Sequence, residues 1–325
     1  MRTQLSIAVL ATALTCSLAT APAHARARVF VASYGNDANP CTFGSPCKTF
    51  QVAVNVVDPG GEVTAIDSAG FGPINITKAV TITSPAGIEA GIVLNSVGTE
   101  PAGITINAGA SDIITLRGLT VQGNGSNGNQ QGVVFENGAA LHIHNCVFNN
   151  LTFGIAFDPN NTDSDLFVSD TSLADNSTAI SVESGASGEF TAVLNRVTLE
   201  NNNTGIFLSD FDMSTGALDV TISDSVIARN SGIGVDVIGN NVFVIATILN
   251  SRIVNGCDNP CSRFPNSIGV KADGGFATIA LNGSAILQYA TGWVAASGGH
   301  VQSYGNNQIE FNPAGNTTPP SALLK

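Results

Sequence analysis

Acidic residues recur at the ends of similar short apolar segments along this chain of 325 residues. The segments QGVVFEN, FGIAFDP and TAISVES each run into a carboxylate, although only 11% of all residues are charged. Two carboxyl groups held about 5–9 Å apart can act as general acid, general base or nucleophile on a glycosidic bond. The residues that follow the second inward position of each segment form a predicted outward column, which comprises Glu136, Asp158, Glu183, Ser209, Asp236 and Lys271.

Asp158 and Glu183 end consecutive segments, so they are the predicted catalytic pair of this column. Like charges at neighbouring positions repel by about 1 kcal/mol in water, and by more when partly buried. Solvent exposure, a raised pKa, Lys271 or a bound divalent cation such as calcium would relieve that repulsion. The alternative interpretation is that the acids only end the strands and keep an exposed sheet soluble. The predicted substrate-binding residues are Glu136, Phe207, Asp210, Asp236 and Lys271.

Two histidines are the only other side chains whose spacing suggests a ligand. His142 and His144 share an outward face at alternate positions, but no third ligand lies in the same motif. A zinc site needs at least three protein ligands. We therefore predict surface histidines and no metal site here, and calcium at the acidic column is the one cation that the sequence leaves open.

The elements that must position these residues recur along the chain. Each begins with Gly-Ile or a close variant and continues with alternating apolar residues, the period expected of a strand. No stretch between them has the longer period of an amphipathic helix. The recurring strands begin at Gly103, Gly132, Gly154, Ala179, Gly205, Gly232, Ser267 and Gly292.

A second recurring element keeps step with the first. It reads as a short strand, a two-residue turn and another short strand, and its turn pairs are rich in Asn, Asp, Gly and Ser, which tolerate turn geometry. The frame of the sixth copy is open by one residue. The copies begin at Leu116, Ile143, Val168, Leu194, Ile222, Leu249 and Leu281.

Each repeat thus offers three short strands, which are too few to bury their own apolar face. The repeats must therefore stack on one another. The alternation places Ile206 with Leu208, and Ile233 with Val235, toward the interior. The predicted fold is all-β: a single-stranded parallel β-helix, right-handed by the usual chirality of parallel crossovers.

Charged turn residues also fall into register between repeats. Arg196 lies one coil from Asp170 on one side and one coil from Asp224 on the other, which predicts a ladder of salt bridges. Glu200 and Arg229 form a second predicted pair. We interpret these pairs as structural, because exposed ion pairs in turns connect neighbouring coils without any further chemistry.

The cysteines form two close pairs and one single residue in the mature chain. Cys41 with Cys47, and Cys257 with Cys261, each lie in a Pro-, Gly- and Asn-rich segment, which predicts two loop-closing disulfides in an oxidising compartment. The second pair closes an insertion, VNGCDNPCSRFPNS, on one side of the helix. Cys146 is predicted to be a buried free thiol.

The chain divides into four predicted segments. Residues 1–25 have the basic start, apolar stretch and Ala-His-Ala end of a signal peptide. Residues 26–60 hold a first strand, a disulfide loop and a short capping helix within TFQVAVNVV, residues 61–312 the parallel β-helix, and residues 313–325 a flexible tail. The apolar stretch is too short to span a membrane, so the predicted protein is exported, either to the periplasm or beyond the cell.

The repeat resembles the pectin lyase-like superfamily of right-handed parallel β-helix proteins. The resemblance rests on G-I-apolar-apolar followed by apolar-x-[Asn/Asp]-x-x-apolar and a later Asn, and it covers nearly all of residues 28–312. The opening segment RVFVASYGNDANPCTFGSPCKTFQ resembles the start of many exported members. The resemblance implies a substrate groove over the sheet of Gly-Ile strands, where Phe207 would stack on a sugar ring.

The superfamily includes lyases, hydrolases, epimerases, tailspikes and adhesins, so the function must come from the site. Neither the set NTD, DD, GHG and RIK nor the pattern WxDH, which mark known catalytic members, is present as a set. With 24 acidic and 12 basic residues, the chain also lacks the basic face that nucleic-acid binding requires.

Three functions therefore stay open from the sequence. The first is recognition of a polysaccharide or cell-surface glycan without catalysis, which the acidic column and a surface rich in Asn, Ser, Thr and Gly favour. The second is a polysaccharide hydrolase, lyase or epimerase that uses the acidic column. The third is a structural or adhesive surface solenoid. In each case we predict a monomer.

Overall fold

The computed structural model describes residues 27–94, 102–124, 129–160, 163–183, 187–211, 213–258 and 261–321. Within these ranges the chain forms three sheets and a single short helix, and every pairing between strands of a sheet is parallel. In each coil the chain passes through sheet 1, sheet 2 and sheet 3 in that order. The predicted parallel β-helix is thus confirmed, whereas the predicted signal peptide lies outside the described residues.

Sheet 1 has eleven strands. Ile248 pairs with Ile222 on one side and Leu281 on the other, so the repeat left open by one residue begins at Ile248 and not at Leu249. The strands are Arg28–Val31, Gly61–Ala65, Val80–Thr83, Ile113–Arg117, Ala140–His144, Asp165–Ser169, Gly188–Asn195, Gly216–Ser223, Phe243–Leu249, Ala277–Asn282 and His300–Ser303.

Sheet 2 has ten strands, most of them only three or four residues long. In the central coils the middle residue of each strand, for example Leu173 or Leu199, is buried in the core. The strands are Ala69–Gly70, Ala90–Val93, Leu119–Gln122, Val147–Asn149, Ser172–Ala174, Thr198–Glu200, Val226–Ala228, Arg252–Val254, Ala285–Leu287 and Gln308–Glu310.

Sheet 3 has nine strands and carries the predicted groove on its outer face. Two inward side chains in most strands, such as Ile206 and Leu208, are fully buried. The strands are Ile74–Ile76, Ala102–Asn107, Gln131–Asn137, Phe153–Phe157, Thr178–Glu183, Thr204–Ser209, Ile233–Ile238, Ile268–Asp273 and Thr291–Ala296.

A glycine near the start of most sheet 3 strands is required by close packing between coils. A Cβ atom on Gly154 would lie 2.6 Å from the carbonyl oxygen of Ala179 in the next coil and 2.7 Å from a methyl group of Leu173 in sheet 2. Such distances are below van der Waals contact. The strand registers put the following residues in this column: Gly103, Gly132, Gly154, Ala179, Gly205, Gly234, Gly269 and Gly292.

Two members of this column correct the sequence prediction. Gly234 and Gly269 occupy the glycine positions, whereas the repeat pattern pointed to Gly232 and Ser267. The predicted frame of these two strands was therefore wrong by two residues. A shift by two leaves the alternation of inward and outward side chains unchanged, so the period alone does not detect it.

The chain turns from sheet 1 to sheet 2 at the first corner, where one residue per coil has a positive φ. These residues are Gly118, Asn145, Asp170, Arg196, Asp224, Asn250 and Gly283, with φ between 49° and 68°. They are the turn residues that the sequence pattern predicts. Asn, Asp and Gly adopt this conformation at the smallest cost, and Arg196 is the exception.

A hydroxyl ladder lies inside the first corner. Ser251 Oγ accepts a hydrogen bond from the backbone N–H of Ser225 at 3.1 Å, and Ser284 Oγ accepts one from the N–H of Ser251 at 3.1 Å. Ser225 Oγ bonds the N–H of Val197 in the same way. The ladder therefore satisfies backbone groups that the turn would otherwise bury without partners.

An asparagine ladder lies inside the second corner, between sheets 2 and 3. The Oδ1 atom of Asn202 accepts from the backbone N–H of Asn176 at 2.9 Å and from its side-chain amide at 3.0 Å. The Nδ2 atom of Asn202 donates to Leu173 O at 3.2 Å and to Asn230 Oδ1 at 3.0 Å. Residues of positive φ precede the ladder on the outside of this corner: Asn150, Asp175, Asn201, Arg229, Asn255, Gln288 and Phe311.

A short helix covers the first coil, as the sequence predicts. It runs over Phe50–Val56, and the hydroxyl of its N-cap residue Thr49 accepts from the N–H of Val52. The ring of Phe50 packs 4.9 Å from that of Phe71, centroid to centroid. The predicted disulfide Cys41–Cys47 is present in the loop before the helix. Within the described residues, no helix has both the length and the apolar character to cross a membrane.

The C-terminal segment differs from the sequence prediction. Residues 313–321 belong to the predicted flexible tail, but they lie against the last coil. The backbone of Ala314 pairs with Thr291, and that of Ser321 with Ser303. The indole N–H of Trp293 donates to Thr317 O at 2.7 Å. The tail is ordered because it supplies partners to strands that have no further coil beside them.

Candidate functional site

The structure divides the predicted outward column into two. Glu183 pairs with Ser209, and Asp158 follows Phe157 at the same position of the preceding strand. Asp236, however, pairs with Phe207. Its strand buries Val235 and Val237 instead of Ile233 and Val235, so Asp236 and Lys271 lie two residues before the column that the sequence assigned to them.

The upstream acids have separate local partners. Glu136 accepts a hydrogen bond from the Asn107 amide at 3.1 Å, and Glu183 accepts one from the Ser181 hydroxyl at 2.7 Å. Asp158 is exposed at the end of its strand. These three residues follow one edge of sheet 3, and the pairing of Asp158 with Glu183 as catalytic groups stays a prediction.

Asp210 has a role that the sequence prediction missed. Its side chain is 1% exposed, and Oδ2 accepts hydrogen bonds from three consecutive backbone N–H groups, those of Asn240, Asn241 and Val242, at 2.9, 2.5 and 2.9 Å. Three such donors hold the carboxylate in place. Asp210 therefore fixes the loop of the following coil and does not face the outer surface of sheet 3 as a predicted substrate ligand would.

The remaining predicted residues meet on the outer face of sheet 3. Phe207, Asp236 and Lys271 are consecutive Cα partners in three neighbouring strands. The Nζ atom of Lys271 lies 2.9 Å from Asp273 Oδ2 and 3.8 Å from Asp236 Oδ1. We call Phe207, Asp236, Lys271 and Asp273 the sheet 3 cluster.

Asp236 is the most unusual member of this cluster. The residue is 8% exposed, and its Oδ1 atom is buried without a hydrogen-bond partner among the described residues. The contact with Lys271 at 3.8 Å is an ion pair but is too long for a hydrogen bond. Burial raises the pKa of Asp236, and the charge of Asp273 adds to this effect, while Lys271 opposes it.

The second carboxyl group of the cluster is shifted the other way. The hydrogen bond from Lys271 lowers the pKa of Asp273, and a further bond from Ser297 acts in the same direction. Burial opposes the charge of Lys271, but its bond to Asp273 and the charge of Asp236 outweigh that effect and raise its pKa. At neutral pH the cluster thus presents an ammonium group that bonds one carboxylate firmly and the other weakly.

The sequence prediction missed Asp273. Its signal is the spacing Lys-x-Asp in the strand Ile268–Asp273, because alternate residues of a strand lie on the same face. Once the frame of this strand is shifted by two residues, Lys271 and Asp273 both face outward, next to Asp236 and Ile238 of the previous strand.

The two predicted surface histidines lie on the outer face of sheet 1. The ring of His142 stacks on Phe167 at 4.7 Å, and His144 Nδ1 lies 2.7 Å from Ser169 Oγ. Partial burial lowers the pKa of both histidines, and Arg117 adds to the effect. In the part of the chain that the structure describes, no three His, Cys, Asp or Glu side chains are grouped to hold a metal ion.

The predicted corner ion pairs are present in part. Arg196 makes two hydrogen bonds to the Asp170 carboxylate, at 2.7 and 2.8 Å, but forms no salt bridge with Asp224 within the described residues. Arg229 bonds Glu200 at 3.0 Å. All four of these side chains are about half exposed, so each pair contributes little to stability.

The predicted cysteine pattern is confirmed. Cys257 and Cys261 form the second disulfide, and Cys146 is a buried free thiol. Its Sγ atom lies 3.4 Å from His144 O, which places the thiol at the position that Ser225 and Ser251 occupy in the hydroxyl ladder. Burial raises the pKa of Cys146 to about 12, so this thiol is not a nucleophile at neutral pH.

Comparison with known proteins yields only distant structural matches. No protein-family model and no curated protein matches the chain. Pectate lyase Pel9A is similar over 85% of this chain and 74% of its own, with 14% identity and a TM-score of 0.42. A rhamnogalacturonan lyase is similar over 78% of this chain and 82% of its own, with 12% identity and a TM-score of 0.34.

The fold is that of a pectin lyase-like parallel β-helix. This statement rests on the three parallel sheets and the single turn of chain through each of them per coil, which is the architecture that the repeat pattern implies. The matches are too distant to carry an argument about activity, so the function is derived from the sheet 3 cluster.

Proposed function

We propose that this protein is an exported β-helix protein that binds a polysaccharide along the outer face of sheet 3. The observation that carries the proposal is Asp236, a buried carboxylate whose Oδ1 atom lacks a hydrogen-bond partner among the described residues and lies beside a half-buried aromatic ring. An unsatisfied acceptor at the surface of a core costs about 1–3 kcal/mol. A hydroxyl group of a ligand would remove that cost.

The neighbouring side chains have the chemistry that a sugar chain requires. Phe207 offers an apolar ring face, and Lys271 and Asp273 offer a donor and an acceptor that are already held in place. The half-exposed hydroxyl groups of Thr178 and Thr204 continue this surface over the two preceding strands. Strands of a parallel sheet are about 4.8 Å apart, so a polymer laid across them meets polar groups at a regular interval.

Export is part of the same proposal. The two disulfides, Cys41–Cys47 and Cys257–Cys261, are typical of proteins that fold in an oxidising compartment. Polysaccharides of cell surfaces and cell walls are met in such compartments, outside the cytosol. The experiment for this part is fractionation of cells that produce the full chain, with loss of residues 1–25 in the exported form as the expected result.

The binding experiment compares two phenylalanines on different faces. Purified protein is tested by affinity electrophoresis and calorimetry against a panel of neutral and acidic polysaccharides. We expect Phe207→Ala or Lys271→Ala to weaken binding about tenfold or more, as loss of a central contact does. Phe167→Ala removes a half-buried ring from sheet 1 and should leave binding unchanged. Equal binding by all three variants, or no binding to any polysaccharide, would contradict the proposal.

A second candidate function rests on the opposite pKa shifts of Asp236 and Asp273. Two carboxyl groups whose surroundings move their pKa values apart are the usual arrangement of a catalytic acid and base. In this role Asp236 would donate a proton and Asp273 would accept one. New reducing ends or unsaturated sugars in the same incubations, abolished by Asp236→Asn but not by Asp158→Asn or Glu183→Gln, would favour catalysis at this cluster over the pair that the sequence predicts.

A further inference from the structure

A cavity of about 510 Å³ lies at the second corner, away from the sheet 3 cluster. Its floor consists of residues of positive φ from successive coils, among them Asn201, Arg229 and Gln288. Its wall is the disulfide loop, residues 256–258 and 261–267, which leaves the coil and covers this part of the corner. We call this cavity the corner pocket.

Two arginines give the corner pocket a positive character. Arg229 uses Nη1 for its bond to Glu200, which leaves further N–H groups of the same guanidinium on the pocket side of a half-exposed residue. Arg263 lines the wall, and its guanidinium carbon lies 5.2 Å from the centroid of the Phe264 ring. In a chain with a formal net charge of −12, two adjacent arginines are a local exception.

The one acidic side chain of the pocket wall is already engaged. The Asp258 carboxylate accepts from the backbone N–H of Arg263 at 2.8 Å and from the Ser262 hydroxyl at 3.0 Å. It therefore shapes the loop and does not pair with either guanidinium in the described residues. Phe264 packs on Cys257, Cys261 and Ala290, so the ring has a fixed position in the wall.

The first corner shows that an arginine of positive φ does not by itself make a pocket. Arg196 has the same backbone conformation as Arg229, with φ of 51° against 58°. It is similarly exposed, with 57% against 63% of its side chain accessible, but both of its hydrogen bonds go to one carboxylate, that of Asp170. Only the second corner combines an incompletely paired guanidinium with a second arginine, an aromatic ring and a covering loop among the described residues.

We propose that the corner pocket binds a small organic oxyanion, a carboxylate or phosphate group on a hydroxyl-rich body. Guanidinium groups recognise both oxyanions by paired hydrogen bonds. The amide groups of Asn201, Asn255 and Gln288 are placed to bond hydroxyls, and the Phe264 ring offers an apolar surface. A volume of about 510 Å³ lies within the range of small-molecule sites and exceeds the needs of an inorganic ion.

The experiment uses calorimetry on the purified protein with three probes of similar size: gluconate, glucose 6-phosphate and neutral glucose. We expect binding of gluconate, of glucose 6-phosphate or of both, and none of glucose. The relative affinity of the two anions tells whether the pocket favours carboxylate or phosphate. Binding should weaken as salt concentration rises, because the attraction is electrostatic. Failure of both anions to bind, or equal binding of glucose, would overturn the proposal.

Three variants locate the binding. Arg229→Ala or Arg263→Ala should weaken anion binding about tenfold or more, whereas Arg196→Ala, the matched arginine of the first corner, should leave it unchanged. The double variant Cys257→Ser, Cys261→Ser tests the covering loop and should also weaken binding while the circular dichroism spectrum stays that of the parent. Binding that persists in both arginine variants, or that Arg196→Ala removes, contradicts the assignment.

The result is independent of the proposed polysaccharide site. Phe207→Ala removes a ring from sheet 3 and should bind the anions as the parent does. Loss of anion binding in Phe207→Ala would show that the anions bind at the sheet 3 cluster and would overturn the corner pocket. A protein that binds the anions but no polysaccharide would contradict only the proposed function.

Discussion

The second corner and the sheet 3 cluster both bury polar side chains, but they treat them in opposite ways. Asn202 is 1% exposed, and its side-chain amide makes four hydrogen bonds to neighbouring coils. Asp236 is 8% exposed, and its Oδ1 atom makes none within the described residues. The first side chain is fully paired by the protein itself, whereas the second retains an unmet need.

This difference separates architecture from function. A ladder of satisfied amides stabilises the stack, because each one supplies partners that the next coil would otherwise lack. An unsatisfied carboxylate does not stabilise the fold and is retained for another reason, of which ligand binding is the simplest. Stability measurements on matched variants therefore test the assignment, since the two regions predict effects of opposite sign.

The largest expected effect belongs to Asn202→Ala. The variant leaves the Asn176 N–H, the Leu173 carbonyl and the Asn230 amide without their partners in a buried corner. We expect the free energy of unfolding to fall by about 3–4 kcal/mol, measured by urea denaturation. Asn203→Ala changes the adjacent, exposed asparagine and should cost less than about 0.5 kcal/mol. Similar losses in the two variants would show that the ladder has no special role.

The hydroxyl ladder of the first corner should give a smaller effect. Ser251→Ala removes one acceptor, that of the Ser225 N–H at 3.1 Å, and one short bond to Leu249 O. We expect a loss of about 1–2 kcal/mol in the same denaturation experiment, because fewer buried groups lose a partner than in Asn202→Ala. A loss as large as that of Asn202→Ala would mean that the two corners are equivalent in their contribution.

Asp236→Asn should have the opposite sign. The pKa of Asp236 is raised above its ordinary 3.8, so its contribution to stability is complete below pH 3.8 and is lost as pH rises through the raised value. The asparagine variant never becomes charged, and we therefore expect it to have a higher Tm than the parent at pH 7. The difference should shrink as pH falls toward 4. A lower Tm at pH 7 would show that the pair with Lys271 outweighs the burial of charge.

The smallest effect is expected for Cys146→Ser. The thiol lies at a position where Ser225 and Ser251 make the same bond to the carbonyl two residues earlier. A serine hydroxyl can therefore take its place, and we expect a change of less than about 1 kcal/mol in unfolding free energy. The native parent should not react with a thiol reagent, whereas the unfolded chain should expose one reactive thiol. Fast labelling of native protein would contradict the burial.

The sequence predicts most of the fold because the same physical pattern is written into it many times. Alternating apolar residues, a tight turn and a close-packed glycine recur in each coil, so an error in one copy does not alter the architecture. The prediction of the helix over Phe50–Val56 and of both disulfides succeeded for a related reason. Each depends on residues that are close together in the chain.

The candidate site was predicted less well because it depends on register between coils. A shift of two residues in the strand Ile233–Ile238 separated Asp236 from its true neighbours, and Asp273 was missed for that reason. Burial of Asp210 could not be predicted either. Its partners are backbone groups about 30 residues later, and a sequence shows side-chain types but not the direction of a distant N–H.

The ordered tail has a consequence for self-association. Coils joined by parallel backbone bonds have no natural length, because the last one always presents unpaired groups to which another chain can add. Here residues 314–321 lie against that coil, and a helix covers the first. The molecule thus terminates its own growth at both ends. A version that stops at Asn312 would leave one end open and should form filaments by end-to-end stacking, which electron microscopy would reveal.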